Sequence, residues 1–163
     1  MRLSKNGNLF GKIGNISLWS FETAQESDIP GMLEIENISF SQPWKAGSFL
    51  DELACKDARN YVLKYGEVMG YICFRMLFGE MHIFRIAVRH EWRHNGIASL
   101  MLEKSLNSAC KEGAESAFLE VRQSNIPALA LYRKFGFDII GKRPGYYPET
   151  GEDGIVLMKR LKI

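Results

Sequence analysis

Paired cysteines are what this chain most obviously lacks. Its three, Cys55, Cys73 and Cys110, are odd in number, far apart and without a CxxC pair. No disulfide framework is expected, and reduced thiols in a cytoplasmic protein are the reading. The three histidines, His82, His90 and His94, are read as non-ligating, so no metal is expected. There is no Gly-x-Ser-x-Gly elbow and no cysteine beside an obvious histidine partner, which leaves covalent catalysis without a nucleophile. Long apolar runs are missing too. No stretch approaches the ~20 residues needed to span a bilayer, and the start, MRLSKNGNLFGKIGN, has no continuous apolar segment of a signal peptide. Charge of one sign is also scarce. The net charge is +2 and no Lys/Arg run forms a phosphate-tracking stripe, so neither nucleic acid nor membrane is expected as a partner. The absence of GxxxxGK[ST] and GxGxxG excludes the nucleotide P-loop and the dinucleotide fingerprint.

What is present is an ordinary globular composition, 46% hydrophobic and 25% charged over 163 residues, enough for one domain with a real core. Residues 1–15 carry glycines at 7, 11 and 14 and little periodicity, the pattern of a loose tail. Ile16 to Phe21 alternates as a first strand. Asp28 is placed to cap a helix starting at Ile29-Pro30, with Met32, Ile35 and Ile38 on its apolar face. Phe40 to Trp44 breaks it, and Phe49, Leu50 and Leu53 mark a second helix. Tyr61 to Leu63 and Met69 to Phe74 form a hairpin through Gly66-Glu67. Gly79-Glu80 turns into a strand from Met81 to Val88.

The helix after Gly96 has the clearest period: Ile97, Met101, Leu102, Leu106, Ala109 and Cys110 on one face, with Gly113 as its stop. Ala117 to Val121 reads as a strand buried on both faces. Ser124 or Asn125 caps a helix running to Phe135. Phe137 to Ile140 and Gly154 to Met158 are the last strands, separated by a polar loop from Pro148 to Asp153. The order β-α-α-β-β-β-α-β-α-β-β predicts an α/β mixed sheet of about seven strands with four helices, in a single domain over 16–163.

Three local features carry chemistry. Ile86-Ala87-Val88, a polar turn, and Arg93-His94-Asn95-Gly96-Ile97-Ala98 form a strand-to-helix junction. A glycine there lets backbone N–H groups approach an anion at a helix N-terminus. Arg89, Arg93 and His94 add positive charge. Alternatively, this is a solvated turn with a glycine needed for the loop. Glu120 stands in an apolar strand opposite Leu119 and Val121; loss of solvation would favour its protonated form and let it act as a base near pH 7. The alternative is a glutamate paired with Arg122 or solvent. Tyr132 lies one turn after Ala128, and a phenol can protonate a departing thiolate. The alternative is a core tyrosine.

In combination these features resemble the GNAT superfamily of N-acetyltransferases. The residues are Arg93-x-x-Gly96-x-Ala98 after Ile-Ala-Val, then Leu119-Glu120-Val121-Arg122, Ser124-Asn125, Ala130-Leu131-Tyr132 and Phe135-Gly136-Phe137. Pro43-Trp44, Arg143, Tyr146-Tyr147-Pro148 and Glu152-Asp153 are similar to the RimI-like branch, the ribosomal-protein alanine N-acetyltransferases. The resemblance implies acetyl-CoA as co-substrate, with no metal. Ile86, Ala87 and Val88 would pair with its pantetheine arm. N–H groups of His94, Asn95, Gly96, Ile97, Ala98 and Ser99, with Arg93 opening the motif, would hold the pyrophosphate, and Asn125 would contact the arm. Glu120 would be the general base and Tyr132 the acid. Trp44, Tyr146 and Tyr147 would wall the acceptor site.

The acceptor implied is the N-terminal α-amine of a protein, alanine first, as on a ribosomal protein. A lysine side chain or small amine is the alternative acceptor, and a non-catalytic acetyl-CoA-binding module the alternative outside enzymes. Two positions depart from the pattern: Ala98 where glycine is common, and Gly145 where the branch commonly carries asparagine.

Overall fold

The structure is a computed structural model and describes residues 19–161. The tail expected over 1–15, and the first residues of the strand expected at Ile16, lie outside these. The strands are β1 (Ser20–Thr23), β2 (Ala58–Tyr65), β3 (Glu67–Leu77), β4 (Glu80–Val88), β5 (Ser116–Arg122), β6 (Asp138–Tyr147) and β7 (Glu152–Arg160). The helices are α1 (Ile29–Ser39), α2 (Ala46–Ala54), α3 (Ile97–Lys111) and α4 (Ile126–Lys134). The seven strands run in the order β1-β2-β3-β4-β5-β7-β6, so the mixed α/β sheet expected from the element order is the one observed.

The chain forms two compact units. Of the described residues, the first contains 19–73 and 85–105. β1 pairs antiparallel with β2, and Gly66, at φ +72°, makes the β2–β3 turn. Ile29, Met32, Ile35, Phe49, Val62 and Tyr71 belong to its core.

Two details of α1 differ from expectation. Ile38 is 67% exposed, whereas Glu36 is fully buried. Steps of three residues fall 60° short of a full helical rotation, so a 32-35-38 series drifts off the core face and position 36 turns onto it. Asp28 holds the N-cap position but makes no side-chain cap. Its carboxylate accepts from the Gln25 N–H at 2.9 Å and pairs with Lys64 at 2.7 Å.

Of the described residues, the second unit contains 74–84 and 106–161. β4 runs parallel to β5 from Glu80↔Ser116 to Ile83↔Leu119, and β7 pairs antiparallel with both β5 and β6. Past Ile83, β4 continues for five residues beyond its register with β5. β5 is not buried on both faces. Ala117, Leu119 and Val121 are buried while Phe118, Glu120 and Arg122 are partly exposed, a clean period of two. β6 runs to Tyr147, well past the expected end, because pairing with β7 resumes after register shifts at Ile139/Gly141 and Arg143/Tyr147. Such bulges let a strand containing Pro144 and Gly145 stay in the ladder.

Candidate active site

The first unit carries the strand-to-helix turn. After Val88 the chain makes a single 3-10 turn, His90–Trp92, and reaches α3 through two left-handed residues, His94 at φ +61° and Gly96 at φ +77°. Glycine takes this conformation freely, but histidine pays for it. Strain of that kind persists only where surrounding structure enforces it. Left-handed Gly96 followed by the right-handed first turn of α3 at Ile97 turns successive N–H groups toward one concavity, an anion-binding arrangement. Gly96 O accepts from Leu100 N at 3.0 Å, so α3 opens there and the N–H groups of Ile97, Ala98 and Ser99 have no acceptor within the helix.

The side chains of the turn are tied inward. Arg93 donates through Nε to Val88 O at 3.0 Å and through its terminal nitrogen to Ser39 Oγ at 3.0 Å. Arg89 donates to Val68 O and pairs with Glu34 at 2.9 Å. Asn95 Nδ2 donates to the carbonyls of Trp92 and Arg93. The arginines and Asn95 therefore shape the turn, and the backbone is what it presents. The positive charge expected to crowd the turn is partly spent on Glu34 and on backbone carbonyls.

His90-Glu91-Trp92-Arg93-His94 also spells H-E-x-x-H, which the expectation of non-ligating histidines overlooked. That motif binds zinc when a continuous helix puts both imidazoles on one face. Here the 3-10 turn ends at Trp92, Arg93 is extended at φ −64°, ψ 161°, and His94 is left-handed. Among the described residues no group of three or more His, Cys, Asp or Glu is placed to hold a metal.

The second unit carries the ionisable cluster. Arg143 donates to Glu120 Oε1 at 2.5 Å, and its guanidinium lies 4.2 Å from the Tyr146 ring centroid. The Tyr146 hydroxyl also bonds to Glu120, which raises the phenol's pKa above its ordinary value. The apolar enclosure expected around Glu120 is thus replaced by a guanidinium and a phenol, with the carboxylate side chain 28% exposed. The partner is Arg143, not Arg122. Arg122 instead holds Glu149 and Thr150 and stacks 4.1 Å from the Tyr147 ring.

The ladder explains this exchange. Glu120, Val156 and Gly141 share one row; Arg122, Gly154 and Arg143 share the row two residues on, which faces the same side of the sheet. Gly154 has no side chain, and a Cβ there would come within 2.9 Å of the Tyr146 ring. The Tyr146 ring thus occupies the space a side chain at position 154 would take. Gly145 is left-handed at φ +59° and donates its N–H to Asp153 Oδ1 at 2.8 Å. Asparagine also tolerates that conformation, so the departure from the branch leaves the turn intact.

Tyr132 is 4% exposed and meets Phe137 edge-on, centroids 5.6 Å apart. Burial pushes its phenol well above the ordinary range, and Tyr147 adds to the shift. The proton therefore stays on Tyr132 at neutral pH, as an acid requires before transfer. Asn125 caps α4, its Oδ1 accepting from Ala128 N at 3.2 Å, which settles the choice between Ser124 and Asn125.

Tyr146 and Tyr147 meet edge-on at 5.1 Å. Glu120, Tyr146 and Tyr147 are therefore brought together, with Tyr132 close enough to feel Tyr147. In the first unit, Trp44 packs edge-on against Phe49 at 5.4 Å. In the sequence, Arg143 carries only a resemblance to the branch. The ladder alone makes it the partner of Glu120.

The Acetyltransferase (GNAT) family matches residues 29–137. A ribosomal protein bS18-alanine N-acetyltransferase of Haemophilus ducreyi is 35% identical over 78% of this chain and 88% of its own length. An N-alpha-acetyltransferase of Saccharolobus solfataricus is 30% identical over 88% of this chain and 93% of its own. The crystal structure of the ribosomal-protein-S18-alanine N-acetyltransferase from Escherichia coli superposes with a TM-score of 0.83 at 27% identity, covering 89% of this chain and 95% of that one. No helix among the described residues is long and apolar enough to cross a membrane. The left-handed turn into α3, the carboxylate of β5 and these relatives agree: the chain belongs to the acetyltransferase (GNAT) family, in its RimI-like branch, and is an acyltransferase enzyme.

Proposed function

We propose that this enzyme moves the acetyl group of acetyl-CoA directly to the N-terminal α-amine of a protein, with alanine as first residue and a ribosomal protein as the natural acceptor, in the cytoplasm. Glu120, bonded by Arg143 and Tyr146, is the observation that carries this reading. It is an ionisable group beside the two tyrosines assigned to the acceptor. The names of the Haemophilus and Saccharolobus relatives support the α-amine.

In this reading the backbone of Ile86 to Val88, which β4 carries past its register with β5, pairs with the pantetheine arm. The N–H groups from His94 to Ser99 hold the pyrophosphate, and the amide nitrogen of Asn125 meets the arm while its oxygen caps α4. Trp44, Tyr146 and Tyr147 flank the acceptor. The amine nitrogen attacks the thioester carbonyl carbon and the C–S bond breaks. Glu120 takes the amine proton through water, and Tyr132 gives its proton to the leaving thiolate. Arg143 must yield its hold on Glu120 for this step, and its side chain is 54% exposed.

The base is suited to an α-amine. With a pKa near 7.7–8.0, about a tenth of an α-amine is neutral at pH 7, against a few parts in ten thousand for lysine. The test is thiol release from acetyl-CoA with peptides that vary the first residue, together with N-terminally blocked peptides containing lysine. The expected result is activity on alanine-first peptides and none on blocked ones; equal or greater activity on the blocked peptides overturns the α-amine assignment.

A further inference from the structure

The first unit contains a second charged cluster. Glu36 is fully buried on α1. Its Oε1 accepts from the Trp44 backbone N–H at 2.8 Å and from Arg85 Nε at 3.1 Å, and its Oε2 accepts from the Tyr71 hydroxyl. The Arg85 guanidinium lies 4.4 Å from the Phe40 ring centroid and 4.9 Å from that of Trp44, and also donates to Gln42 O at 3.4 Å. Every contact of Arg85 named here ends on Glu36 or on the Phe40–Trp44 loop, which joins α1 to α2 and has no ladder or helix of its own.

A carboxylate taken wholly out of water is costly, and a buried ion pair rarely returns more stability than apolar residues of the same volume. What such a pair does supply is fixed geometry. The planar guanidinium stacks on rings and bonds in a set direction. Two backbone groups of the loop, Trp44 N–H and Gln42 O, are held by side chains from α1 and β4.

We propose that Glu36 and Arg85 are positioning residues for the acceptor, a clamp that holds the Phe40–Trp44 loop in the shape that receives the peptide. The inference rests on the assignment of Trp44 to the acceptor site made above. Neither residue touches the reacting atoms. Their effect is read through the loop.

The test uses the full chain and three variants, Arg85→Met, Arg85→Lys and Glu36→Gln. With an alanine-first peptide, Arg85→Met is expected to lower kcat/KM by about tenfold to a hundredfold, through the peptide KM, while the acetyl-CoA KM stays within about twofold. Arg85→Lys keeps the charge but not the fork or the stacking plane, so it rescues only part of the loss. Glu36→Gln retains an acceptor oxygen and is expected to fall between the two. A readout independent of turnover is acrylamide quenching of Trp44 fluorescence in a Trp19→Phe, Trp92→Phe background, which leaves Trp44 as the one tryptophan; quenching should rise in Arg85→Met.

Unchanged quenching overturns the clamp. Raised quenching with an unmoved peptide KM, or equal changes in both KM values, overturns its role in acceptor binding. If the parent enzyme acetylates no peptide, the α-amine assignment fails separately, and the clamp is then judged by quenching and by the KM of the amine that is turned over.

Discussion

Replacing Glu120 by glutamine separates chemistry from packing. The substitution keeps the shape of the side chain and removes the proposed base and one half of the pair with Arg143. That pair is open to solvent, 54% on the arginine side and 28% on the glutamate side, and exposed pairs contribute little to folding. The melting temperature should therefore move by no more than a few degrees. General base catalysis contributes about 10²–10⁴-fold, so kcat/KM at pH 7 should fall by at least about a hundredfold.

The remaining rate should then depend on amine that is already neutral. For an α-amine of pKa near 7.7–8.0 the neutral fraction climbs from about a tenth at pH 7 to about nine-tenths at pH 9. The variant should regain roughly ninefold over that interval. The assay is thiol release from saturating acetyl-CoA with an alanine-first peptide from pH 6.5 to 9, beside thermal melts in the same buffers. Parental kcat/KM at pH 7 in a properly folded variant would refute the assignment of Glu120 as base.

Tyr132→Phe should lower kcat by about a hundredfold with little change in peptide KM, since it removes the proposed proton donor and no acceptor contact. Burial raises the phenols of Tyr71 and Tyr132 above their ordinary range, so below about pH 10 both are protonated whether the chain is folded or not and the shifts have no effect on stability. Above it the unfolded phenols ionise first and stability falls, by about 1.4 kcal/mol per phenol at pH 11. Urea melts at pH 8.5 and 10.5 should show this loss, and Tyr132→Phe should show less of it. Gly70→Ala should destabilise by about 1–3 kcal/mol, because the new Cβ would lie 2.9 Å from both Ala87 O and Met101 Cε. The methionine can yield but the β4 carbonyl cannot, so denaturant melts should show the loss and the acetyl-CoA KM should rise with it. Gly96→Val puts a β-branched residue at φ +77° and should raise the acetyl-CoA KM more than the peptide KM in steady-state kinetics.

What could be read from the sequence was whatever repeats or breaks over a few residues. The 3.6 period of α3 put Met101, Leu102 and Ala109 in the core, where all three are fully buried. Gly66, Gly79, Gly96 and Gly113, all left-handed, marked turns because only glycine takes that backbone at no cost. Glu120, Tyr132 and Gly96 were visible as local features, and the site roles proposed for them and for Asn125 rest on their combined resemblance to the family. The interactions across the sheet and between α1 and β4 were not legible. Glu36 and Arg85 lie 49 residues apart and Glu120 and Arg143 lie 23 apart, and no local pattern couples such positions. Hydrophobic spacing put Ile38 inside and ignored Glu36, because periodicity counts apolar residues and cannot see that a carboxylate will find three donors. The strand composition around Glu120 suggested an apolar enclosure, because a sequence shows the neighbours along a strand and not those across the ladder. Local chemistry therefore determined the elements, the turn and the candidate side chains. The ladder register and the packing of α1 decided which charges those side chains meet, since only the tertiary structure brings distant charges within hydrogen-bonding reach.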